Sequence, residues 1–289
     1  MRVKKRTGYF NSFDGNKTYF EVRGEGEPII MAYGLACQFN HWIHQINYFS
    51  KNYSTIVFDY RGHHKTATPV AEENLSIAAI AKDISLLCHH LDIKKAHFFA
   101  HSLGVPILLK AYEHYPEFFK SLVFINGFVK NPIKGMFGLT EILENFFYLF
   151  KKGHGEAPHI TSAVWKTILA NPLAGPSLSL AGGFNFSLTA LKDIEIYTRG
   201  VSLVDLDVFT VLFEDMLHFD GEEVLPQIKC PTLVISGEKD AVTPWDHQEI
   251  ILKKVENSKL LKVPYGSHCT QLDFPEFVNL RIEKFFAEN

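Results

Sequence analysis

One serine of this chain stands in a setting that suits a nucleophile. Ser102 lies in the pentapeptide Ala100-His101-Ser102-Leu103-Gly104, directly after a short apolar run. Small residues two positions before and after a serine allow the sharp strand-to-helix turn that lifts a hydroxyl clear of a sheet. No other serine of the chain has Gly or Ala two positions before it together with Gly two positions after it. The pattern therefore predicts a nucleophilic serine at position 102.

A serine hydroxyl is a weak nucleophile at neutral pH, so it needs a base and a carboxylate that orients the base. The apolar run Thr232–Ser236 is followed closely by Glu238 and Asp240, and the run Lys259–Val263 is followed by a loop that contains His268. We predict His268 as the base and Asp240 as the acid, because Asp240 lies deeper in its turn; Glu238 is the alternative acid. The chain order serine, aspartate, histidine is that of one hydrolase class and differs from both major serine protease orders.

Acyl transfer from a serine also needs hydrogen-bond donors aimed at the developing oxyanion. The backbone N–H of Leu103 is one candidate donor, because it opens the helix that follows the serine turn. The other candidate is the N–H of Leu35, in the loop Tyr33-Gly34-Leu35 that leaves the apolar run Pro28–Ala32. Gly34 permits the tight backbone turn that such a loop requires.

Short apolar runs of strand length must position these groups. The runs are rich in Val, Ile, Leu and Phe and mostly lack polar alternation, which is typical of parallel strands covered on both faces. The six runs are Pro28–Ala32, Tyr53–Phe58, Ala96–Ala100, Ser121–Ile125, Thr232–Ser236 and Lys259–Val263. Ahead of them, Gly8–Phe13 and Lys17–Arg23 flank the turn signal Asp14-Gly15-Asn16. The pattern predicts an α/β fold with a doubly wound, mostly parallel sheet and an antiparallel N-terminal hairpin.

The regular spacing of strands breaks once, between Ile125 and Thr232. This stretch has helical periodicity and no convincing strand, which predicts a helical cap over 128–225 on a core formed by 1–127 and 226–289. The Gly- and Pro-rich stretch Asn171–Gly183 predicts an irregular connection inside the cap. Two apolar stripes at helical spacing are expected to pack against their own domain: Leu139, Ile142, Leu143, Phe146, Phe147 and Phe150, and Leu203, Leu206, Phe209, Phe213 and Met216.

The composition excludes several other classes of protein. The formal net charge of −3 offers no basic field for nucleic acid, and no apolar stretch is long enough to cross a membrane. The N-terminal charges lack the apolar stretch of a signal peptide, and the four cysteines lack paired spacing, so we expect free thiols in a cytoplasmic protein. Metal binding is not expected, because no carboxylate or cysteine stands at ligand spacing beside the three histidine pairs His41/His44, His63/His64 and His89/His90.

These motifs together resemble those of the α/β-hydrolase family, and the match covers nearly the whole chain outside the cap. The pentapeptide Ala100–Gly104 resembles the G-x-S-x-G nucleophile elbow, with Ala at its first position. The segment Asp59–Thr66 is similar to the family's D-x-R-G-x-G-x-S loop. Pro231–Asp240 resembles the segment that delivers the acid, and Gly266–His268 with Asp273–Val278 resembles the histidine loop and final helix.

The resemblance implies the α/β-hydrolase fold, a serine-nucleophile esterase or lipase-like activity, a helical cap and no cofactor. Two positions depart from the family pattern: Tyr33 replaces the usual His before Gly34, and His64 replaces the second glycine of the Arg-Gly loop. Because of the first change, the family pattern does not predict which hydrogen bonds support the oxyanion loop. Because of the second, it does not predict the shape of the Arg-Gly loop. A serine nucleophile also disfavours the activities of the aspartate-dependent dehalogenases and epoxide hydrolases in the same superfamily.

The sequence therefore predicts a serine hydrolase that cleaves a carboxylic ester of a small-to-medium apolar substrate through an acyl-enzyme. The Phe-rich cap motivates the apolar substrate. A carbon–carbon bond hydrolase with the same fold and triad is the first alternative, and a ligand sensor on the hydrolase fold is the second. The fold alone does not choose among them. No nucleic-acid or membrane partner is expected, and the oligomeric state is left open.

Overall fold

A computed structural model describes residues 3–134, 139–171 and 183–289 of the chain. Its sheet has eight strands in the order β1-β2-β4-β3-β5-β6-β7-β8. The strands are β1 Lys5–Asn11, β2 Lys17–Arg23, β3 Glu27–Ala32, β4 Tyr53–Phe58, β5 Ala96–His101, β6 Phe119–Ile125, β7 Thr232–Gly237 and β8 Ser258–Val263. β1 and β2 pair antiparallel, β2 pairs antiparallel with β4, and the remaining neighbours are parallel.

Helices flank this sheet. The described helices are α1 Ile43–Phe49, α2 Ile77–His90, α3 Gly104–His114, α4 Thr140–Glu156, α5 Pro158–Ala170, α6 Leu191–Ser202, α7 Leu206–His218, α8 Trp245–Lys254, α9 Thr270–Asp273 and α10 Pro275–Ala287. Every residue of the central strands β5 and β7 is buried. Because successive side chains of a strand point to opposite faces, a fully buried strand must be covered on both faces.

The predicted fold class is confirmed, and the six predicted parallel strands lie within two residues of their observed ends. The first strand of the hairpin differs from the prediction, because it spans Lys5–Asn11 rather than Gly8–Phe13. The ladder starts where Lys5 stands opposite Arg23, and the Lys5 ammonium lies 2.8 Å from the carboxylate of Glu21. Cross-strand pairing of charged side chains therefore extends this edge strand towards its N-terminus. The apolar pattern does not predict this extension, because the residues there are charged.

The helices α4, α5, α6 and α7 lie between β6 and β7 in the chain, and no strand occurs there among the described residues. The prediction of a cap over 128–225 remains a prediction. Two contacts tie this region to the rest of the chain: the Asp193 carboxylate lies 2.8 Å from Nε2 of His44 on α1, and Val208 packs against Gly62 in the loop after β4. Of the predicted irregular connection Asn171–Gly183, all but the two end residues lie outside the described residues.

The expected packing of the apolar stripe on α4 is only partly correct. Phe147 is buried with Ile133 and Leu217, but Ile142 and Phe146 are 64% and 67% exposed. A helix presents a stripe wider than one neighbouring helix covers, so periodicity alone does not say which of its rows is buried. In the second stripe, Leu206 and Met216 are buried, Phe209 and Phe213 are partly buried, and Leu203 is exposed.

Arg61, in the Asp59–Thr66 segment, is a bracing residue. Its guanidinium is fully buried and forms two hydrogen bonds with the carboxylate of Asp83, of 2.7 and 2.9 Å. A third hydrogen bond of 2.6 Å reaches Asp14, in the hairpin turn. All of its charge is therefore engaged in tying the hairpin to α2.

The four cysteines are free thiols, and all but the half-buried Cys230 are buried, in agreement with prediction. None of the described helices has the length and apolar character needed to cross a membrane.

Candidate active site

The nucleophile elbow is formed where β5 passes into α3. Ser102 has a φ of +52°, a left-handed conformation that costs a non-glycine residue about 1–3 kcal/mol. Gly104 explains why a small residue must follow two positions later, since a Cβ atom there would lie 2.4 Å from the carbonyl oxygen of Ala32. The structure thus places Ser102 on a strained turn at the carboxyl edge of the sheet, half-buried.

The two segments that follow β7 and β8 bring the predicted acid and base together. We call residues 237–243 the acid turn and residues 264–270 the histidine loop. His268 Nδ1 lies 3.1 Å from Asp240 Oδ2, and both residues are buried. Glu238, the alternative acid, is exposed, and among the described residues its carboxylate accepts one long hydrogen bond, of 3.4 Å, from the N–H of Tyr265.

The carboxylate of Asp240 is held by donors from its own turn. Asp240 Oδ1 accepts hydrogen bonds of 2.9 Å from the N–H groups of Val242 and Thr243. Asp240 Oδ2 accepts a hydrogen bond of 2.7 Å from the Thr243 hydroxyl. These donors fix the direction of the carboxylate, so Oδ2 faces the imidazole of His268.

A hydrogen bond from Nδ1–H of His268 to Asp240 leaves Nε2 as the free nitrogen of the imidazole. The ring of His268 packs against that of His101, with 4.6 Å between centroids, and His101 is the residue before Ser102. Among the described hydrogen bonds, none joins Ser102 Oγ to His268 Nε2. Such catalytic hydrogen bonds are often long without substrate and shorten when substrate binds.

The predicted oxyanion loop lies beside the elbow. A Cβ atom at Gly34 would lie 3.3 Å from Ser102 Cβ, which places the backbone of this loop against Ser102. Neither the N–H of Leu35 nor that of Leu103 donates to any group among the described hydrogen bonds. Both remain predicted oxyanion donors.

Aromatic side chains support the oxyanion loop where the family pattern has His. The rings of Tyr33 and Tyr60 lie 4.2 Å apart. The Tyr60 hydroxyl donates to the carbonyl oxygen of Tyr33 at 2.9 Å, and the Tyr33 hydroxyl accepts from the N–H of Tyr60 at 3.0 Å. Tyr33, which replaces the usual His, therefore still provides hydrogen-bonded support under the loop.

Two histidines of the Arg-Gly loop complete this support. His63 Nε2 accepts a hydrogen bond of 3.2 Å from the N–H of Ala36, and His63 Nδ1 donates to the carbonyl oxygen of Arg61 at 3.0 Å. His64, at a φ of +48°, lies 2.7 Å through Nε2 from the carbonyl oxygen of Cys37. His64 thus adopts the left-handed backbone that the family's glycine would adopt, and its ring adds a contact to the oxyanion loop.

The burial of His63 predicts a pH dependence of stability. Desolvation lowers its pKa from 6.5 to about 4, so below about pH 6.5 the unfolded chain takes up a proton that the folded chain refuses. This part of the stability is therefore lost as the pH falls from about 6.5 to about 4, and it amounts to about 3 kcal/mol. The measurement is urea unfolding at about pH 7.5 and about pH 4. Between these two pH values we expect the free energy of unfolding of His63→Gln to fall by about 3 kcal/mol less than that of wild type.

The exposed His159 provides the control, since His159→Gln removes a histidine that is not buried. Equal acid sensitivity of wild type and His63→Gln would contradict the assignment of His63 as a buried neutral histidine.

Sequence reasoning missed three residues that organise the site: Asn126, Thr243 and His101. Asn126 follows β6 directly, just as the acid follows β7, so the search for polar residues at strand ends that found Asp240 could have found it. Thr243 and His101 lie within segments that the motifs already covered, but no local signal distinguishes them. Among the described residues, no group of three potential ligands is placed to hold a metal ion.

Comparisons with known proteins agree with this architecture. A family model described as alpha/beta hydrolase fold matches residues 27–157. The "Putative carbamate hydrolase RutD" of Stutzerimonas stutzeri is 25% identical over 277 residues, which cover 93% of this chain and 97% of that protein. The "(E)-2-((N-methylformamido)methylene)succinate hydrolase" of Acinetobacter baylyi is 24% identical over 264 residues, or 90% of each chain. A thermophilic esterase from Thermogutta terrifontis superposes with a TM-score of 0.75 at 20% identity, covering 98% of each chain.

The elbow, the strand order and these similarities point to the same fold. The chain therefore has the α/β-hydrolase fold.

Proposed function

We propose that this protein is a serine hydrolase that cleaves a carboxylic ester of a small-to-medium apolar substrate. Ser102 is the nucleophile, His268 the general base and Asp240 the residue that orients His268. The observation that carries the proposal is the 3.1 Å contact between His268 Nδ1 and Asp240 Oδ2, next to a serine held in a left-handed turn. The hydrolase names of the relatives also support it.

The proposed reaction has two halves. The hydroxyl of Ser102 attacks the ester carbonyl while His268 Nε2 takes the hydroxyl proton, and the same imidazolium then protonates the leaving alcohol. In the second half His268 removes a proton from water, which attacks the acyl-enzyme carbonyl. The imidazolium of His268 then returns the proton to Ser102 Oγ as the carboxylic acid product leaves. The N–H groups of Leu35 and Leu103 hold the oxyanion of each tetrahedral intermediate.

Apolar side chains beside the base support an apolar substrate. Phe184 and Ile194 form a buried cluster with Cys269 and Leu272, immediately after His268. Phe184 and Ile194 belong to the region between β6 and β7, so this region meets the histidine loop through apolar groups. A substrate bound between them would meet the same kind of surface.

This substrate class predicts a chain-length dependence. We expect kcat/KM for p-nitrophenyl esters to rise from acetate to a medium-length acyl chain, because each CH₂ buried in an apolar site contributes about 0.8 kcal/mol. The measurement is initial rates over a series of acyl chains, with Ser102→Ala as the blank. Turnover confined to acetate would contradict the apolar substrate while leaving the serine mechanism intact.

A carbamate or amide is the second candidate substrate class. The relatives from Stutzerimonas stutzeri and Acinetobacter baylyi are named for a carbamate and for an N-methylformamido compound. The same triad cleaves these bonds if His268 protonates a leaving nitrogen rather than an oxygen. p-Nitrophenyl carbamates and anilides of matched size, assayed beside the esters, separate the two classes.

A vinylogous diketone in the same series tests carbon–carbon cleavage, and labelling of Ser102 without any turnover would indicate the ligand-sensor alternative.

A further inference from the structure

Asn126 links the acid turn to the histidine loop. It is fully buried at the end of β6, with a φ of +45°, and its side chain reaches both neighbouring segments. Asn126 Oδ1 accepts a hydrogen bond of 2.8 Å from the N–H of Gly237, where the acid turn begins. Asn126 Nδ2 donates to three groups on the other side: the carbonyl oxygens of Ser267 and His268, at 2.9 and 2.7 Å, and the hydroxyl oxygen of Thr270, at 2.9 Å.

These partners fix the orientation of the amide. The backbone N–H of Gly237 is only a donor, so it must face the oxygen of Asn126. The carbonyl oxygens are only acceptors, and the Thr270 hydroxyl gives its proton to Ser267, so all three must face the NH₂ group. The position therefore requires an acceptor on one side and an NH₂ donor on the other. The short side chain of asparagine supplies both. Asparagine also tolerates the left-handed backbone better than most residues.

The backbone of Asn126 adds a link to the acid itself. Its carbonyl oxygen accepts a hydrogen bond of 2.9 Å from the Thr243 hydroxyl, which also lies 2.7 Å from Asp240 Oδ2 and 3.3 Å from His268 Nδ1. One residue thus contacts both the side chain that orients the acid and the main chain that carries the base.

We propose that Asn126 is a positioning residue that sets the His268 backbone relative to the acid turn, so that Nδ1 of His268 meets Asp240. This inference rests on the proposed function for its link to catalysis. His101 acts alongside it, since its Nε2–H donates to the same carbonyl oxygen of His268 at 2.9 Å. The carbonyl oxygen of His268 is thereby held from two sides, and the imidazole keeps little freedom to turn away.

Asn126→Asp tests this role with almost no change in shape. One carboxylate oxygen keeps the N–H of Gly237, but the other faces two carbonyl oxygens and a hydroxyl oxygen, which repel it unless it is protonated. The titratable groups around the position are Asp240 on the acid turn, His268 and Asp273 near the histidine loop, His101 at the end of β5 and His247 on α8. The carboxylates among them disfavour a further negative charge, so the carboxyl of Asn126→Asp takes up a proton as the pH falls. Its O–H group can then donate a hydrogen bond where the asparagine NH₂ group did.

The experiment follows the downfield proton resonance of the imidazole N–H bonded to Asp240, identified by its loss in Asp240→Asn. We expect Asn126→Asp to lose this resonance at about pH 8 and to regain it towards about pH 5. In parallel, its kcat/KM for an ester at about pH 8 falls on the order of 10²-fold, the cost of a displaced catalytic group. The deficit relative to wild type shrinks as the pH falls, which a purely structural role would not produce.

Asn279→Asp is the matched control, because Asn279 is also buried, accepts from Gln45 and places its amide nitrogen 3.4 Å from the carbonyl oxygen of His44. It is expected to lower stability without changing the resonance. If Asn126→Asp does not fold, Asn126→Ala carries the test and is expected to lack the resonance at every pH.

A wild-type resonance and pH profile in Asn126→Asp, or a wild-type resonance in Asn126→Ala, would overturn the inference. If wild type shows the resonance but cleaves no ester or amide, the proposed function fails. The role of Asn126 is then judged by the resonance alone.

Discussion

Replacing Ser102 by alanine is expected to abolish hydrolysis almost completely. Loss of the nucleophile from a serine triad lowers kcat on the order of 10⁶-fold. The residual activity comes from the oxyanion donors and from substrate binding. Ser102 is half-buried and uncharged, and alanine keeps its Cβ atom while removing only the hydroxyl. The variant should therefore fold normally, and steady-state kinetics on a p-nitrophenyl ester should show the loss in kcat with thermal unfolding unchanged within a few degrees.

The chain offers a matched control in a second serine–histidine–carboxylate arrangement. Ser121 Oγ lies 2.7 Å from His97 Nδ1, and His97 Nε2 lies 3.3 Å from Glu27. Ser121 is buried within β6, inside a strand rather than on a strand-to-helix elbow. Ser121→Ala is therefore expected to keep full activity, and loss of activity in this variant with full activity in Ser102→Ala would refute the assignment.

Replacing Asp240 by asparagine is expected to lower kcat on the order of 10⁴-fold. An amide at this position can present an NH₂ group to His268 Nδ1, which moves the imidazole proton to Nε2 and removes the base from Ser102. The three donors that face the carboxylate, from Val242 and Thr243, also lose part of their acceptor. The loss should appear in kcat rather than in KM, because Asp240 is buried and acts through His268.

Glu238→Gln is the control for Asp240→Asn, because Glu238 is the other carboxylate of the acid turn and is exposed. It is expected to keep activity within a few-fold of wild type. Loss of activity in Glu238→Gln with retention in Asp240→Asn would exchange the roles of the two acids.

The parts of the site that sequence predicted are those fixed by short-range geometry. The elbow needs small residues at 100 and 104, and Gly104 does lie against Ala32 as that rule requires. Asp240 and His268 follow the ends of neighbouring parallel strands, so the strand order brings their two segments to the same edge of the sheet.

The parts that sequence could not predict depend on contacts between distant segments. The place of Asn126 at a strand end marks it as a candidate polar residue, but its role comes from contacts with Gly237 and the histidine loop, more than a hundred residues away. Tyr33 supports the oxyanion loop only because Tyr60 lies beneath it, which a family pattern with His at that position does not suggest. The exposure of Ile142 and Phe146 likewise depends on which neighbours reach α4.

The central claim is that Ser102 is an activated nucleophile, and covalent labelling tests it most directly. Wild type, Ser102→Ala and Ser121→Ala are treated with a fluorophosphonate, and the labelled peptide is located by mass spectrometry. The account predicts one adduct on Ser102 in wild type and in Ser121→Ala, and none in Ser102→Ala. An adduct on another residue, or no adduct on folded wild type, would contradict the assignment of Ser102 and the function built on it.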